Sequence, residues 1–219
     1  YVSAQLSQEL ELIATVAVEQ ADNFLAQERL RFESGVASEL DVLRAEVSAE
    51  NLRPDLVRAR NASAVATLDL KALLDNADLP SFAMLTGGKG IHIVLNLKRR
   101  ADWDEVKGFA GAFAEQVAAL DPRRFVANMS KAKRKGRIFI DYLRNGRGAT
   151  AIAPYSTRAK PTAPVATPVS WDELKTIPEA SAFKLKDMRA RLEEPDPWAV
   201  YADSAVTLTK AARAKLGLD

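Results

Sequence analysis

The 219-residue chain has no cysteine and a single histidine, His92. Without cysteine there is no disulfide framework, no thiolate zinc site and no cysteine nucleophile. Long apolar runs are missing too. A membrane span needs about 18 such residues, and the longest contender, Gly111 to Leu120, is broken by Glu115 and Gln116. The first twenty residues carry Glu9, Glu11 and Glu19 and no basic n-region, unlike a secretory signal. The expectation is a protein of a reducing, cytoplasmic compartment with no membrane span.

Glycine and proline are scarce in the first third. Only Gly35 of the ten glycines precedes Gly87, and only Pro54 of the ten prolines precedes Pro80. Charge divides the chain as well. Residues 1–60 hold eleven acids and six bases, a net of −5, and the remainder holds 18 acids and 25 bases, a net of +7. Helix-compatible sequence therefore gives way to turn-punctuated sequence.

The first third reads as a long antiparallel helical hairpin, assigned to residues 1–64. Leu6, Leu10, Ile13, Ala17, Ala21 and Phe24 recur at helical steps. The pattern stops at Ser34–Ser38 and resumes with Leu40, Leu43, Val47, Leu52 and Leu56. Gly35 can end the first helix, Ser38 can cap the second, and Pro54 should kink it or remove a bond. From residue 65 to 219 the pattern is α/β. Strands are expected at Ser81–Leu85, Ile91–Leu97, Arg137–Asp141 and Ala149–Ala153. Helices are expected at Val65–Leu74, Trp103–Leu120, Phe183–Glu194 and Val206–Leu216, with a proline-rich connection at Lys160–Pro168.

Chemistry concentrates in two places. The window Arg123–Lys160 holds eleven basic residues and one acid, Asp141. Such a field suits phosphate, although a solvated basic loop would look the same. Period-two alternation along residues 137–141 puts Arg137, Phe139 and Asp141 on one face. Asp141 is then either a ligand for a divalent metal carrying a nucleoside triphosphate or merely the ion-pair partner of Arg144 or Arg137. The second place is Thr86-Gly87-Gly88-Lys89-Gly90-Ile91-His92. Three glycines in four positions let backbone N–H groups approach an anion, and Lys89 adds charge. A plain glycine hairpin is the alternative, and His92 could equally be a structural hydrogen-bonder. The stretch is neither a Walker loop nor a dinucleotide fingerprint.

The Thr86–Val94 stretch, Trp103-Asp104-Glu105-Val106-Lys107, Met129–Asn145, Ala149–Ser156 and Trp171-Asp172-Glu173-Leu174 together resemble, in order and spacing, the bacterial ligase D-type polymerase domain of the primase-polymerase superfamily. The resemblance covers about residues 65–219. It implies template-directed, metal-dependent nucleotidyl transfer in non-homologous end joining, with manganese or magnesium as cofactor. It implies DNA, nucleoside triphosphates and the end-joining ligase machinery as partners. By the same resemblance Gly88, Lys89 and His92 hold the incoming triphosphate, and Thr86 stands where the family has Ser or Thr. Gly87 and Gly90 complete the loop, Asp141 is a metal-binding carboxylate, and Arg144 and Arg158 lie near the nucleotide phosphates. The cations Lys131, Lys133, Arg134 and Lys135 are assigned to DNA. The family's first two metal ligands sit on an Asp-x-Asp strand before the glycine loop, and no Asp-x-Asp or Asp-x-Glu precedes Thr86 here. The expected fold is thus a partial primase-polymerase-like α/β (α+β) domain, its first half missing, behind a helical hairpin. Weak or absent polymerase activity is expected with it.

Residues 31–43 around the hairpin turn also resemble the helix-turn-helix tip of TolC-type outer-membrane efflux channels, where an adaptor protein docks. That resemblance implies an alternative, an envelope interaction protein binding an adaptor through the hairpin. The family's barrel strands, other hairpins and export signal have no counterpart in this sequence.

Overall fold

A computed structural model describes residues 2–7 and 9–218, with side chains described for residues 13–59 and 65–218. Strand β1, Val2–Ser7, opens the described chain. Helix α1, Glu9–Glu33, and helix α2, Glu39–Asn76, follow. They lie antiparallel, tied by Arg29–Glu46 at 3.3 Å and Arg53–Asp22 at 3.0 Å. Gly35 closes α1 at φ +74°, a left-handed conformation that costs glycine little. Ser38 caps α2: its Oγ accepts from the Asp41 N–H at 3.2 Å, and the Asp41 carboxylate accepts from the Ser38 N–H at 3.0 Å. The Ser38 hydroxyl, which also donates to the Asp41 carboxylate at 2.7 Å, and then the Ser38 N–H hold the Asp41 pKa below its ordinary value. The α2 helix continues through Pro54.

Two parts of the helical expectation need correction. Leu6 belongs to β1, not to a helical stripe, and the side chains of Leu6 and Leu10 lie outside the described residues. Ile13 and Phe24, the expected packing residues, are exposed, as are Leu40, Leu43 and Val47. The seam is instead built from Val18, Glu28, Ala45 and Ala49, all buried. Alanine lets the two backbones approach closely, and the bulkier side chains are left outside that contact.

The C-terminal turns of α2 enter the main core through Ala66, Leu70 and Leu74. There they meet helix α3, Trp103–Leu120, whose Phe109 and Phe113 stack at 6.4 Å. Both helices cover one face of a mixed sheet that also contains β2 (Ser81–Leu85), β3 (Gly90–Leu95), β4 (Phe125–Val126), β5 (Ile138–Asp141) and β6 (Thr167–Val169). Its strand order among the described residues is β4-β5-β1-β3-β2-β6, with β4 and β5 parallel and the other neighbours antiparallel. Ile93, Leu95, Ile138 and Ile140 face the helices. A fully buried Leu such as Leu70 contributes roughly 1.5–3 kcal/mol there. Because α2 spans hairpin and core, residues 64 and 65 lie inside one continuous helix.

Ala149–Ala153, expected as a strand, is irregular and largely exposed. Strands β1, β4 and β6 were not anticipated. Beyond β6 the chain is fastened by side chains. Arg191 is buried, paired with Glu173 and Glu194, and donates to the Pro168 carbonyl at 3.0 Å. Trp171 and Trp198 donate their indole N–H groups to the carbonyls of Ser81 and Ala83 at 2.8 and 3.0 Å. Two short helices, α5 (Met188–Glu193) and α6 (Lys210–Lys215), complete this region.

Candidate nucleotide and metal site

The turn between β2 and β3 is closed by Thr86. Its N–H and hydroxyl both donate to the Gly90 carbonyl, at 3.0 and 2.7 Å. Its Oγ accepts long bonds from the N–H groups of Gly88 and Gly90, at 3.3 and 3.4 Å. Gly87 has φ +63° and donates to the Ala180 carbonyl at 3.0 Å. A Cβ on Gly87 would stand 3.0 Å from the Val165 carbonyl carbon and 3.2 Å from Pro164 O and Ala166 N. The glycines therefore serve close backbone packing. The idea that their N–H groups form an outward cradle is corrected: those of Gly87, Gly88 and Gly90 are engaged inside the protein. What the turn presents to solvent is the exposed Lys89. Beside it lies Arg158, whose Nε donates to the Thr86 carbonyl at 3.0 Å.

His92 and Asp141 come from strands that do not touch, yet each is the register partner of Gln5 in β1, which runs between them. Alternation then puts both on the sheet face opposite α3, where Met84 and Phe139 also lie. Lys89 is three positions before His92 at the same end of β3. His92 is 2% exposed, and its Nδ1 has no hydrogen-bond partner among the described residues. Burial, reinforced by the positive fields of Arg144 and Arg158 and only partly opposed by Asp141, pushes its pKa down to about 4. At neutral pH the imidazole is uncharged, and its Nδ1 is unsatisfied among the described residues.

Asp141 is less free than a metal ligand would be. One carboxylate oxygen accepts from the Leu143 N–H at 3.1 Å, and the other lies 3.5 Å from Arg144 Nε. Arg144 in turn donates to the Thr150 carbonyl at 3.0 Å. Among the described residues no group of three or more His, Asp or Glu side chains could hold a metal ion. A divalent cation wants several oxygen ligands, so the described side chains do not by themselves fit a two-metal centre.

The basic window is less uniform than its composition suggests. Arg124 is paired with Asp69 and Asp121, Arg137 donates to the carbonyls of Pro122 and Lys133, and Arg144 is held by Asp141. Lys131 and Lys133, on the four-residue helix α4 (Lys131–Arg134), and Lys135 just after it are exposed. The Arg134 guanidinium lies 3.6 Å above the Phe139 ring, two residues from Asp141 on the same face. Strand β1 and the Thr86–Arg158 bond were the parts of this site not anticipated. Neither has a local motif.

Comparison with known proteins identifies the family of the fold. The family described as "LigD, primase-polymerase domain" matches residues 52–198, a stretch that begins inside α2. The chain is 39% identical to the multifunctional non-homologous end joining protein LigD of Pseudomonas aeruginosa, over 86% of this chain and 23% of that protein. It is 30% identical to the bifunctional LigD of Bacillus subtilis, over 59% of this chain and 21% of that protein. The chain thus spans about a quarter or less of the curated relatives named here. Among solved structures it is similar to the polymerase domain of Mycobacterium tuberculosis ligase D in complex with DNA, with a TM-score of 0.61 and 25% identity, over 67% of this chain and 51% of that one. No described helix is long and apolar enough to cross a membrane. With two thirds of its length matched by the family and a fold similar to that of a solved ligase D polymerase domain, the chain belongs to the LigD primase-polymerase domain family.

Proposed function

We propose that this chain binds nucleoside triphosphate and DNA phosphate as part of a ligase D-type repair polymerase, and that its own nucleotidyl transfer is weak. The observation that carries the reading is the shared register of His92 and Asp141 against residue 5, which supports one reaction face. On that face Lys89 and Arg158 meet the triphosphate, with Thr86, Gly87, Gly88 and Gly90 fixing the turn that positions them. His92 offers a neutral nitrogen to the nucleotide, and Arg144 balances Asp141 until a cation competes for the carboxylate. Lys131, Lys133, Arg134 and Lys135 meet the DNA backbone, where each neutralised phosphate steepens the salt dependence. Manganese or magnesium, when bound, would neutralise phosphate charge beside Asp141. The end-joining ligase machinery is the proposed partner, and α1 with the first turns of α2 is read as a helical arm on a nucleotide-binding portion made of β1 and residues 65–219. The likeness of residues 31–43 to an efflux-channel tip is given no function here.

Primer extension with template, nucleotides and manganese tests the catalytic half: little product is expected, and efficient elongation would refute the weakness. Calorimetric titration with a triphosphate tests the binding half, and no heat at millimolar nucleotide would remove it. The variant Gln5→Asp, which puts a second carboxylate at the register position shared by His92 and Asp141, should bind manganese at least ten-fold more tightly than the parent.

A further inference from the structure

We propose that the hollow beyond the far end of β3 is a second nucleic-acid contact that takes a single-stranded segment, one base against Trp103 and neighbouring phosphates against Lys98, Arg99 and Arg100. The inference rests on the DNA-binding reading above and adds a surface to it. The hollow is about 450 Å³, with Leu97, Ala101 and Val106 as its apolar lining and Lys98, Arg99 and Trp103 around them. Trp103 is 55% exposed, whereas Trp171 and Trp198 are half-buried and anchored through their indole N–H groups. An indole so exposed at the start of α3 leaves apolar surface in water on the edge of the hollow.

The platform is fixed from behind. Lys98 N–H donates to the Val206 carbonyl at 2.8 Å, and Val206 N–H donates to the Asn96 carbonyl at 2.9 Å. Lys98, Arg99 and Arg100 are exposed, and none is in an ion pair among the described residues. Three acids share this corner: Asp102, which also lines the hollow, Asp104 and Glu105. Asp102 accepts from the Glu105 N–H at 2.8 Å and Glu105 from the Asp102 N–H at 2.9 Å, which fixes these two carboxylates at the helix start. Three adjacent cations beside an accessible ring match the repeat of phosphate and base in an unpaired strand; in a duplex the base faces are stacked away from such a ring. The six residues of β3 separate this hollow from the glycine turn by roughly 20 Å, so it is a different surface from the triphosphate site.

The test is titration of the whole chain with a thymidine octanucleotide and with a blunt duplex, read by tryptophan emission and by anisotropy of a labelled strand. The octanucleotide should quench emission, and Trp103→Ala should abolish most of the quench and weaken binding about ten-fold. Trp103→Phe, which keeps a ring and the local packing, should recover part of the affinity. The combined variant Lys98→Ala, Arg99→Ala, Arg100→Ala should lower the slope of log affinity against log salt by about 2. If Trp103→Ala binds and quenches like the parent while Lys131→Ala, Lys133→Ala, Lys135→Ala loses binding, this inference fails and the DNA reading stands. If the parent binds neither octanucleotide nor duplex, both fail. If Trp103→Ala weakens the duplex as much as the single strand, the single-strand assignment is overturned.

Discussion

Arg158 reaches across 72 positions of sequence to donate from Nε to the carbonyl of Thr86 at 3.0 Å. This bond fixes the guanidinium beside the glycine turn with its Nη atoms uncommitted to Thr86. Arg158→Ala should raise the dissociation constant for a nucleoside triphosphate roughly 10- to 100-fold, the loss of a hydrogen bond to a charged group. Arg158→Lys keeps the charge without the planar fork and should fall between the two. Calorimetric titration of the three proteins checks this, and equal affinities would take Arg158 out of the phosphate site.

Gly87 and Gly136 are both left-handed, at φ +63° and +75°, but only Gly87 is crowded. Gly136→Ala should cost about 1 kcal/mol, from backbone conformation alone. Gly87→Ala adds a collision with the backbone of residues 164–166, and its total cost should reach roughly 2–4 kcal/mol. Urea denaturation midpoints of the two variants distinguish these cases. Equal losses would mean that the segment at 164–166 yields without cost.

His92 predicts an acid-sensitive fold. Its folded-state pKa of about 4 lies below the ordinary 6.5, so between those values the unfolded chain binds a proton that the native state excludes. Stability therefore rises with pH across this window, is complete above about pH 6.5 and is lost as pH falls toward 4, by on the order of 3 kcal/mol from this group. Arg144 and Arg158 strengthen the effect and Asp141 opposes it. Denaturation midpoints of the parent and His92→Gln between pH 4.5 and 7.5 provide the check. The parent should show the steeper slope, and parallel curves would contradict the assignment.

What could be read from sequence was what is local. The glycine turn sits between the strands its punctuation marks, α3 follows its apolar period, and β5 follows its alternation up to Asp141. Leu6 was misplaced because a six-residue strand running straight into a long helix carries too little pattern of its own, and its partners lie in β3 and β5. Ala149–Ala153 has strand-like composition but joins no strand of the described sheet. The basic window showed its charge but not its pairing, since Arg124 is spent on Asp69 of α2, 55 positions away. The glycines mark the turn, although nothing local says that Thr86 takes the N–H groups of Gly88 and Gly90.

Residue 5 has one further consequence, for the order of assembly. Its neighbours in the sheet, residues 92 and 141, lie 87 and 136 positions further along the chain. Pairings so remote are slow to form. Until β1 docks, the inner edges of β3 and β5 offer bare backbone donors and acceptors to any passing chain. A crowded refolding mixture should therefore lose material at that step, and dilution during refolding should recover it.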